Sequence, residues 1–418
     1  MNATNKQNSG ECVILVHVVF PAKALAEDLT ELRELAASAG ATVVAEITGH
    51  RRVPDAKYFV GSGKAEEIRD AVAATGVKLV IFNHVLSPAQ QRNLEKLLNC
   101  RLVDRTGLIL DIFAQRALSF EGKLQVELAQ LKYASTTLVK GSRHLEGQQG
   151  GIGMRGPGET QLELDRRLIR DKIKLIETRL EKLRQQREQG RRSRQRAVVP
   201  TIALVGYTNA GKSTLFNRLT GSEVYAANQL FATLDPTLRR VELPQIGPVI
   251  FADTVGFIRH LPPDLIKAFH ATLQEVAEAD LLLHVMDVND EHRSEHQHEV
   301  ETILTTIEAD AVPRLCVENK VDLHPLLTPR LDRDEQGRPV RVAISAVTGA
   351  GLDLLCTAIA EALGSNMVER ELCLLHNQGK LRAELYARKG VVTETVDDEG
   401  RSCLRLRLPR VELDKLFR

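Results

Sequence analysis

Ala197-Val-Val-Pro-Thr-Ile-Ala-Leu-Val205, Gly206-Tyr207-Thr208-Asn209-Ala210-Gly211-Lys212-Ser213 and Thr214-Leu-Phe-Asn-Arg-Leu-Thr220 are consecutive, and together they decide the fold. The first stretch is apolar and β-branched, the pattern of a buried parallel strand. The last reads as a helix, and the middle is a complete G-x-x-x-x-G-K-[ST] phosphate loop. A strand that feeds a helix through such a loop points successive backbone N–H groups at an anion, with the helix N-terminus adding to the field. Lys212 would reach the β- and γ-phosphates and the Ser213 hydroxyl would hold Mg²⁺. Average residue usage yields this pattern by chance in about one or two of every hundred chains of this length. A glycine turn beside a surface lysine is therefore the weaker reading.

Three more motifs follow in order and narrow the nucleotide to GTP. Val249-Ile-Phe-Ala-Asp253-Thr254-Val255-Gly256 is an apolar strand ending in D-x-x-G. Asp253 would approach Mg²⁺ through water, and the Gly256 N–H would sense the γ-phosphate. Asn319-Lys320-Val321-Asp322 closes the run that begins at Arg314. One carboxylate can accept both donors on the N1/N2 edge of guanine, whereas adenine leaves that charge unpaired. Ser345-Ala346-Val347 ends the strand that starts at Val340, where a backbone N–H can meet the guanine carbonyl. Between the first two motifs, Gln229-Leu-Phe231-Ala232-Thr233-Leu234-Asp235-Pro-Thr237 forms a loop. Thr233 is the residue expected to close on Mg²⁺ when the γ-phosphate is present, with Thr237 second because it opens the strand Thr237 to Leu243.

Catalysis falls to Lys212, Thr233 and Gly256. Ras-like GTPases carry a water-orienting glutamine immediately after D-x-x-G. Here that place is Phe257, followed by Ile258, and neither side chain forms hydrogen bonds. Slow hydrolysis by the chain alone and stimulation by a partner are the expectation. Asn209 lies where related GTPases hold K⁺ beside the phosphates. An asparagine chosen for turn geometry explains the same residue equally well.

The chain has 418 residues, too many for one core, so two to four domains are expected. Net charge is +1, so nucleic-acid affinity must come from local patches. Aromatics are 4% and tryptophan is absent, which argues against base stacking and for recognition through charge and backbone shape. The six cysteines show no zinc spacing and read as reduced core residues of a soluble cytoplasmic protein. The polar first ten residues resemble no signal peptide, and no apolar run approaches the roughly 18 to 20 residues of a membrane span.

Residues 11 to 118 alternate strand and helix: strands at Cys12 to Phe20, Thr42 to Ile47, Val77 to Phe82 and Arg101 to Val103, helices at Ala22 to Ala39, Lys64 to Ala74, Ser87 to Leu98 and Thr106 to Ala117. This is a small parallel α/β layer. Within it, Val60-Gly-Ser-Gly-Lys64 is half a phosphate loop. It lacks the first glycine and the trailing Ser/Thr, so a plain helix-start turn is the preferred reading. Two heptad seams follow, Leu124, Leu128, Leu131, Leu138 and Ile169, Ile173, Ile176, Leu180, Leu183. The segment between them, Gly141 to Thr160, holds seven glycines with Arg143, His144 and Arg155. Such a pattern predicts an antiparallel helical hairpin with a glycine-rich tip, its arms about 30 and 50 Å long. Gln161 to Ala197 has thirteen Lys/Arg against six Asp/Glu, so the tip and this arm are candidate nucleic-acid contacts. After a closing helix, Gly351 to Leu363, the tail has a strand at Leu372 to His376, a helix at Lys380 to Arg388 and a hairpin of Val391 to Val396 with Ser402 to Leu408. His292, His296 and His298 read as an exposed helix face in preference to a metal site.

The order of these regions resembles the HflX family of translation-factor-related GTPases over nearly the whole chain. Its most specific stretches are Gly150 to Arg167, Gly206 to Ser213, Phe231 to Pro236 and Asp253 to Phe257. The resemblance implies a GTP-dependent factor that binds the large ribosomal subunit and separates stalled or idle ribosomes under stress. The hairpin tip would probe ribosomal RNA, and Thr233 would be the switch threonine. The family is also linked to ATP use by the N-terminal domain, although Lys64 lacks a following Ser/Thr. The expected architecture is an α/β chain. A disordered start (1–10), an α/β domain (11–118) and the hairpin with its basic linker (119–196) precede a P-loop GTPase domain with a Ras-like mixed sheet (197–364). A small α+β tail (365–418) closes it. A monomer is expected, using Mg²⁺ and, as a second ion, K⁺. A large-subunit assembly GTPase and an ATP-driven RNA remodeller are the alternative roles.

Overall fold

The computed structural model describes residues 10–20, 29–139, 161–196, 199–222, 230–244, 246–259, 270–364, 367–374, 378–387, 391–396 and 401–409. The glycine-rich segment with Arg143, His144 and Arg155, and the turn at 397–400, lie outside them. By contacts the chain divides into two units, 1–180 with 227–234 and 261–269, and 181–226 with 235–260 and 270–418.

In the first unit, strands β1 (Cys12–Val19), β2 (Thr42–His50), β3 (Leu79–Phe82) and β4 (Arg101–Asp104) form a sheet in the order β2-β1-β3-β4. Every pairing is parallel. The central strands β1 and β3 are buried, mainly apolar runs, while the edge strands β2 and β4 carry polar and charged residues. Helices α1 (Leu29–Ser38), α2 (Ser62–Thr75), α3 (Pro88–Leu98) and α4 (Arg105–Arg116) pack on the sheet. Local chemistry sets the helix ends. Ser87 and Gln90 form a reciprocal capping box with Pro88 in the first turn of α3. The Asp104 side chain accepts from the Gly107 N–H to start α4.

Helices α5 (Phe120–Val139) and α6 (Gln161–Arg196) follow. On α6 the expected seam is visible in burial. Ile176 is buried and Ile169, Ile173, Leu180 and Leu183 are half-buried, while nearly all residues between them are exposed. Lys132 pairs with Glu177 at 2.9 Å and Lys172 with Glu127 at 2.6 Å across the two helices.

The second unit is built on a seven-stranded sheet in the order β10-β11-β9-β8-β5-β7-β6. Its strands are β5 (Thr201–Val205), β6 (Thr237–Leu243), β7 (Gly247–Asp253), β8 (Leu281–Asp287), β9 (Arg314–Asn319), β10 (Arg330–Arg333) and β11 (Pro339–Ala343). The five central strands are parallel, and the two edges, β6 on β7 and β10 on β11, are antiparallel. Helices α7 (Lys212–Thr220), α8 (His270–Ala277), α9 (Arg293–Thr306) and α10 (Leu352–Gly364) connect the strands. Ile202, Leu204, Phe251, Leu283, Val285 and Val317 fill the core. This mixed sheet puts the ends of β5, β7, β9 and β11 on one side, where parallel α/β sheets bind ligands.

The tail has strands β12 (Met367–Leu374), β13 (Val391–Val396) and β14 (Ser402–Pro409) in the antiparallel order β12-β14-β13, with helix α11 (Gly379–Ala387). Leu374, Leu385, Leu404 and Leu406 make its core. The reading of all six cysteines as reduced needs correction here. Cys373 and Cys403 sit directly opposite on β12 and β14 and are disulfide-bonded, whereas Cys12, Cys100, Cys316 and Cys356 are free. Sequence spacing cannot show that two residues thirty apart share a cross-strand position. No helix among the described residues is long and apolar enough to cross a membrane.

Candidate nucleotide site

The loop from Gly206 to Ser213 leaves β5 and runs directly into α7, whose N-cap Gly211 has φ 93°. A side chain is excluded there twice over. The conformation is left-handed, and a Cβ would lie 2.2 Å from Asn319 Nδ2. The Lys212 ammonium is buried and donates to the Tyr207 carbonyl at 2.7 Å. Burial pulls its pKa down to about 8, while the Asp253 carboxylate pushes the other way. Thr208 is buried, and among the described residues its hydroxyl has no hydrogen-bond partner, as befits a group beside a ligand. Ser213 lies in the first turn of α7 and Asp253 ends β7 fully buried. A hydroxyl and a carboxylate are the oxygen donors that Mg²⁺ takes.

Of the residues expected to read the base, Asn319 reaches the same loop. Asn319 Nδ2 donates to the Ala210 carbonyl at 2.9 Å, and Asn319 Oδ1 accepts from the Ala346 N–H at 2.9 Å. One side chain thus ties the phosphate loop to the Ser345–Val347 loop. Lys320 takes a left-handed φ of 67° and pairs with Asp287 at 2.8 Å. Val321 is buried and anchored by its N–H to the Ile344 carbonyl, which leaves the next residue, Asp322, exposed. Ser345 is fully buried and its hydroxyl accepts from the Thr348 N–H, while Val347 is exposed.

After β7, Thr254 donates to the Leu204 carbonyl at 2.6 Å. Phe257 then docks beside the phosphate loop. The Thr208 N–H donates to its carbonyl at 2.8 Å, and its own N–H donates to the Gly206 carbonyl at 3.1 Å. Phe257 and Ile258 are both buried, consistent with side chains that pack and do not handle water.

The segment with Phe231, Ala232, Thr233 and Leu234 groups with the first unit, while Asp235 begins the next stretch of the second. The N–H of Leu230 donates to Ser38 Oγ at 2.9 Å, and Phe231, at φ 56°, packs edge-on against Phe113 at 4.7 Å. Thr233 is buried.

Two further expectations have outcomes. The half loop at Val60 to Lys64 leads into a helix, α2, which starts at Ser62. A Cβ on Gly61 would fall 1.8 Å from a guanidinium nitrogen of Arg51, and Lys64 pairs with Glu67 at 2.7 Å. A cavity of about 420 Å³ borders this turn, lined by His50, Arg51, Ser62 and Lys64 among others. The reading of His292, His296 and His298 as an exposed face is corrected for His296. Its ring stacks on Tyr207 with centroids 3.7 Å apart and bonds Asp290 at 2.5 Å. The missed signal was the aromatic residue inside the phosphate loop, which needs a partner for its ring.

Family models match nearly all of the chain. They are described as GTP-binding GTPase N-terminal (residues 26–114), GTP-binding GTPase Middle Region (116–194), 50S ribosome-binding GTPase (201–320) and HflX C-terminal domain (331–418). A GTPase HflX of Escherichia coli K12 is 54% identical over 412 residues, 99% of this chain and 97% of that protein. The chain belongs to the HflX family of GTPases. Another relative, GTPase HflX of Caldanaerobacter subterraneus subsp. tengcongensis, is 46% identical over 90% of this chain and 86% of its own length. Among solved structures, a GDP complex of a GTP-binding protein from Sulfolobus solfataricus is 24% identical with a TM-score of 0.45, covering 84% of this chain and 99% of that one. As a member of this family the chain is a GTP-hydrolysing enzyme built on a phosphate-loop fold.

Proposed function

We propose that this chain is a cytoplasmic, monomeric GTPase that binds the large ribosomal subunit and uses GTP to dissociate stalled or idle ribosomes under stress. Gly206 to Ser213 cradle the phosphates, and Asn319, Asp322 and Ala346 read guanine. Ser213 and Thr233 hold Mg²⁺, with Asp253 acting through water. Mg²⁺ would neutralise charge on the phosphates; Lys212 and the Gly256 N–H stabilise the transferred group from the protein side. K⁺ at Asn209 is the second ion of this reading. The division at residues 118, 196 and 364 belongs to the same reading, with Arg143, His144 and Arg155 on the element that meets ribosomal RNA.

The observation that carries it is that Asn319, which with Ala210 lies in the segment matched by a 50S ribosome-binding GTPase model, bonds both Ala210 and Ala346. Mixing the protein and GTP with purified whole ribosomes and resolving them on a sucrose gradient tests it. Separated subunits are the expected result, and none should appear with GDP. Intact ribosomes in the presence of GTP, with binding to free large subunits, would favour an assembly role. Replacing residues 143–155 by a short neutral turn should abolish separation and spare GTP binding.

A further inference from the structure

Tyr207 stands in a phosphate loop, where its backbone faces the nucleotide and its side chain has no duty in that chemistry. The ring is nevertheless held on several sides. It lies nearly parallel to the His296 ring, 3.7 Å between centroids at 16°. Asp290, at the loop before α9, holds His296 in place through Nδ1 at 2.5 Å. The Tyr207 hydroxyl accepts from the Arg259 N–H at 2.9 Å. The Arg259 side chain, itself buried, pairs with Glu295, the neighbour of His296 on α9. Tyr207 therefore joins the phosphate loop, the segment after D-x-x-G and the start of α9.

What this arrangement holds down is the segment from Gly256 to Arg259. Gly256 is packed so closely on the loop that a Cβ there would lie 2.9 Å from Thr208 Cγ2 and 3.0 Å from Lys212 Nζ. A γ-phosphate that reaches both the Lys212 ammonium and the Gly256 N–H must stand between them. The segment has to lift, breaking the two Phe257 backbone bonds to the loop and the Tyr207–Arg259 bond.

We propose that Tyr207, seated on His296, is a positioning residue that latches the Gly256–Arg259 segment down and so biases the site toward guanosine diphosphate over triphosphate. The latch is fastened to α9 through His296 and Glu295. A partner that displaces the start of α9 releases the segment without touching the nucleotide. This inference rests on the reading of the loop as a GTP site.

The test compares affinities of the full chain for GDP and for a non-hydrolysable guanosine triphosphate analogue by calorimetry. Tyr207→Phe keeps the ring and removes the acceptor, and should shift the affinity ratio about fivefold toward the triphosphate, the effect of one net hydrogen bond. Glu295→Gln frees the Arg259 side chain and should shift the ratio the same way by about twofold. A merely structural role would weaken both nucleotides together. An unchanged ratio in both variants, or a shift toward GDP, overturns the latch. If Tyr207→Phe fails to fold, Glu295→Gln decides alone. Wild-type protein that binds neither guanine nucleotide would instead overturn the GTP reading on which the latch depends.

Discussion

Two turns in this molecule share a local script and differ in what surrounds them. Gly206 to Ser213 and Val60 to Lys64 each carry glycine and then lysine into the first turn of a helix. In the first, the glycine before the lysine is met by the Asn319 amide, delivered from the end of another strand. Its lysine is buried beside Asp253. In the second, the glycine before the lysine, Gly63, meets no neighbour, Arg51 from just beyond the end of β2 covers only the earlier Gly61, and the lysine is tied to Glu67 one turn along its own helix. A glycine-lysine turn makes a helix start. Only a tertiary neighbour that keeps the glycine bare and the lysine desolvated makes it a phosphate site.

The comparison is most exposed to failure at the base. Asp322→Asn should weaken GTP by about 1,000-fold and improve xanthosine triphosphate, because guanine donors then face an amide that cannot accept both. Calorimetry that shows guanine and adenine nucleotides bound equally by the wild type would move the nucleotide function away from the Asn319 side altogether. Next in size, Lys212→Ala should weaken GTP about 100-fold through loss of a charged hydrogen bond. Lys64→Ala should leave GTP affinity where it was, and any large loss there would erase the distinction between the two turns.

The glycines sharpen it further. Gly211→Ala should destabilise the GTPase region by about 3 kcal/mol, since it adds left-handed strain to a collision with a side chain anchored at both ends. Gly61→Ala carries backbone strain of its own, at φ 86° and ψ 163°, but collides only with the tip of a flexible arginine, and should cost about 2 kcal/mol. Urea titrations followed by pulse proteolysis, with fragments of each region resolved by mass, separate the two.

The smallest effect is in pH. His284, on β8 beside β5, is buried and its pKa is pulled down to about 4, chiefly by desolvation. The unfolded chain takes up this proton near pH 6.5 and the folded chain does not. Stability contributed by the neutral imidazole is thus complete above about pH 6.5 and lost progressively as pH falls toward 4. Asp104, at the end of β4, has its pKa raised by burial, so acidification below neutrality acts on its region with the opposite sign. Between pH 7 and 5 the urea midpoint of the GTPase region should fall relative to that of the N-terminal layer. Equal movement of both would remove His284 from this account.

Much of the architecture was legible because local signals and tertiary roles agreed. The strand Thr237 to Leu243 and the hairpin strand Val391 to Val396 have the expected ends, and the α6 seam was readable from isoleucine and leucine spacing alone. Strand β10 was not legible, because Arg-Leu-Asp-Arg is charged and short, and pairing with β11 creates it. The role of His296 was also hidden. On a helix rich in charge a half-buried histidine looks like any exposed one, and its partner Tyr207 lies 89 residues away. The cross-strand position of Cys373 and Cys403 depends on register, which a list of spacings does not contain. Within the candidate nucleotide site the phosphate loop and the strand ends that carry Asp253 and Asn319 could be read, but not the double attachment of Asn319, which arises from two loops meeting.

The attachment of Leu230 and Phe231 to Ser38 and Phe113 has a practical side. Excising the GTPase half at its N-terminal border leaves these two residues in the fragment and removes the groups they pack on. The cut converts a buried backbone N–H and a buried aromatic ring into solvent-facing ones. It does so next to Thr233, the residue proposed to close on Mg²⁺ when GTP is bound. Dissection into modules, the usual way to simplify a multidomain enzyme, therefore alters the reporter together with the context. Point substitution at Ser38 or Phe113 in the intact chain is the less disruptive way to ask what the N-terminal layer does for nucleotide turnover.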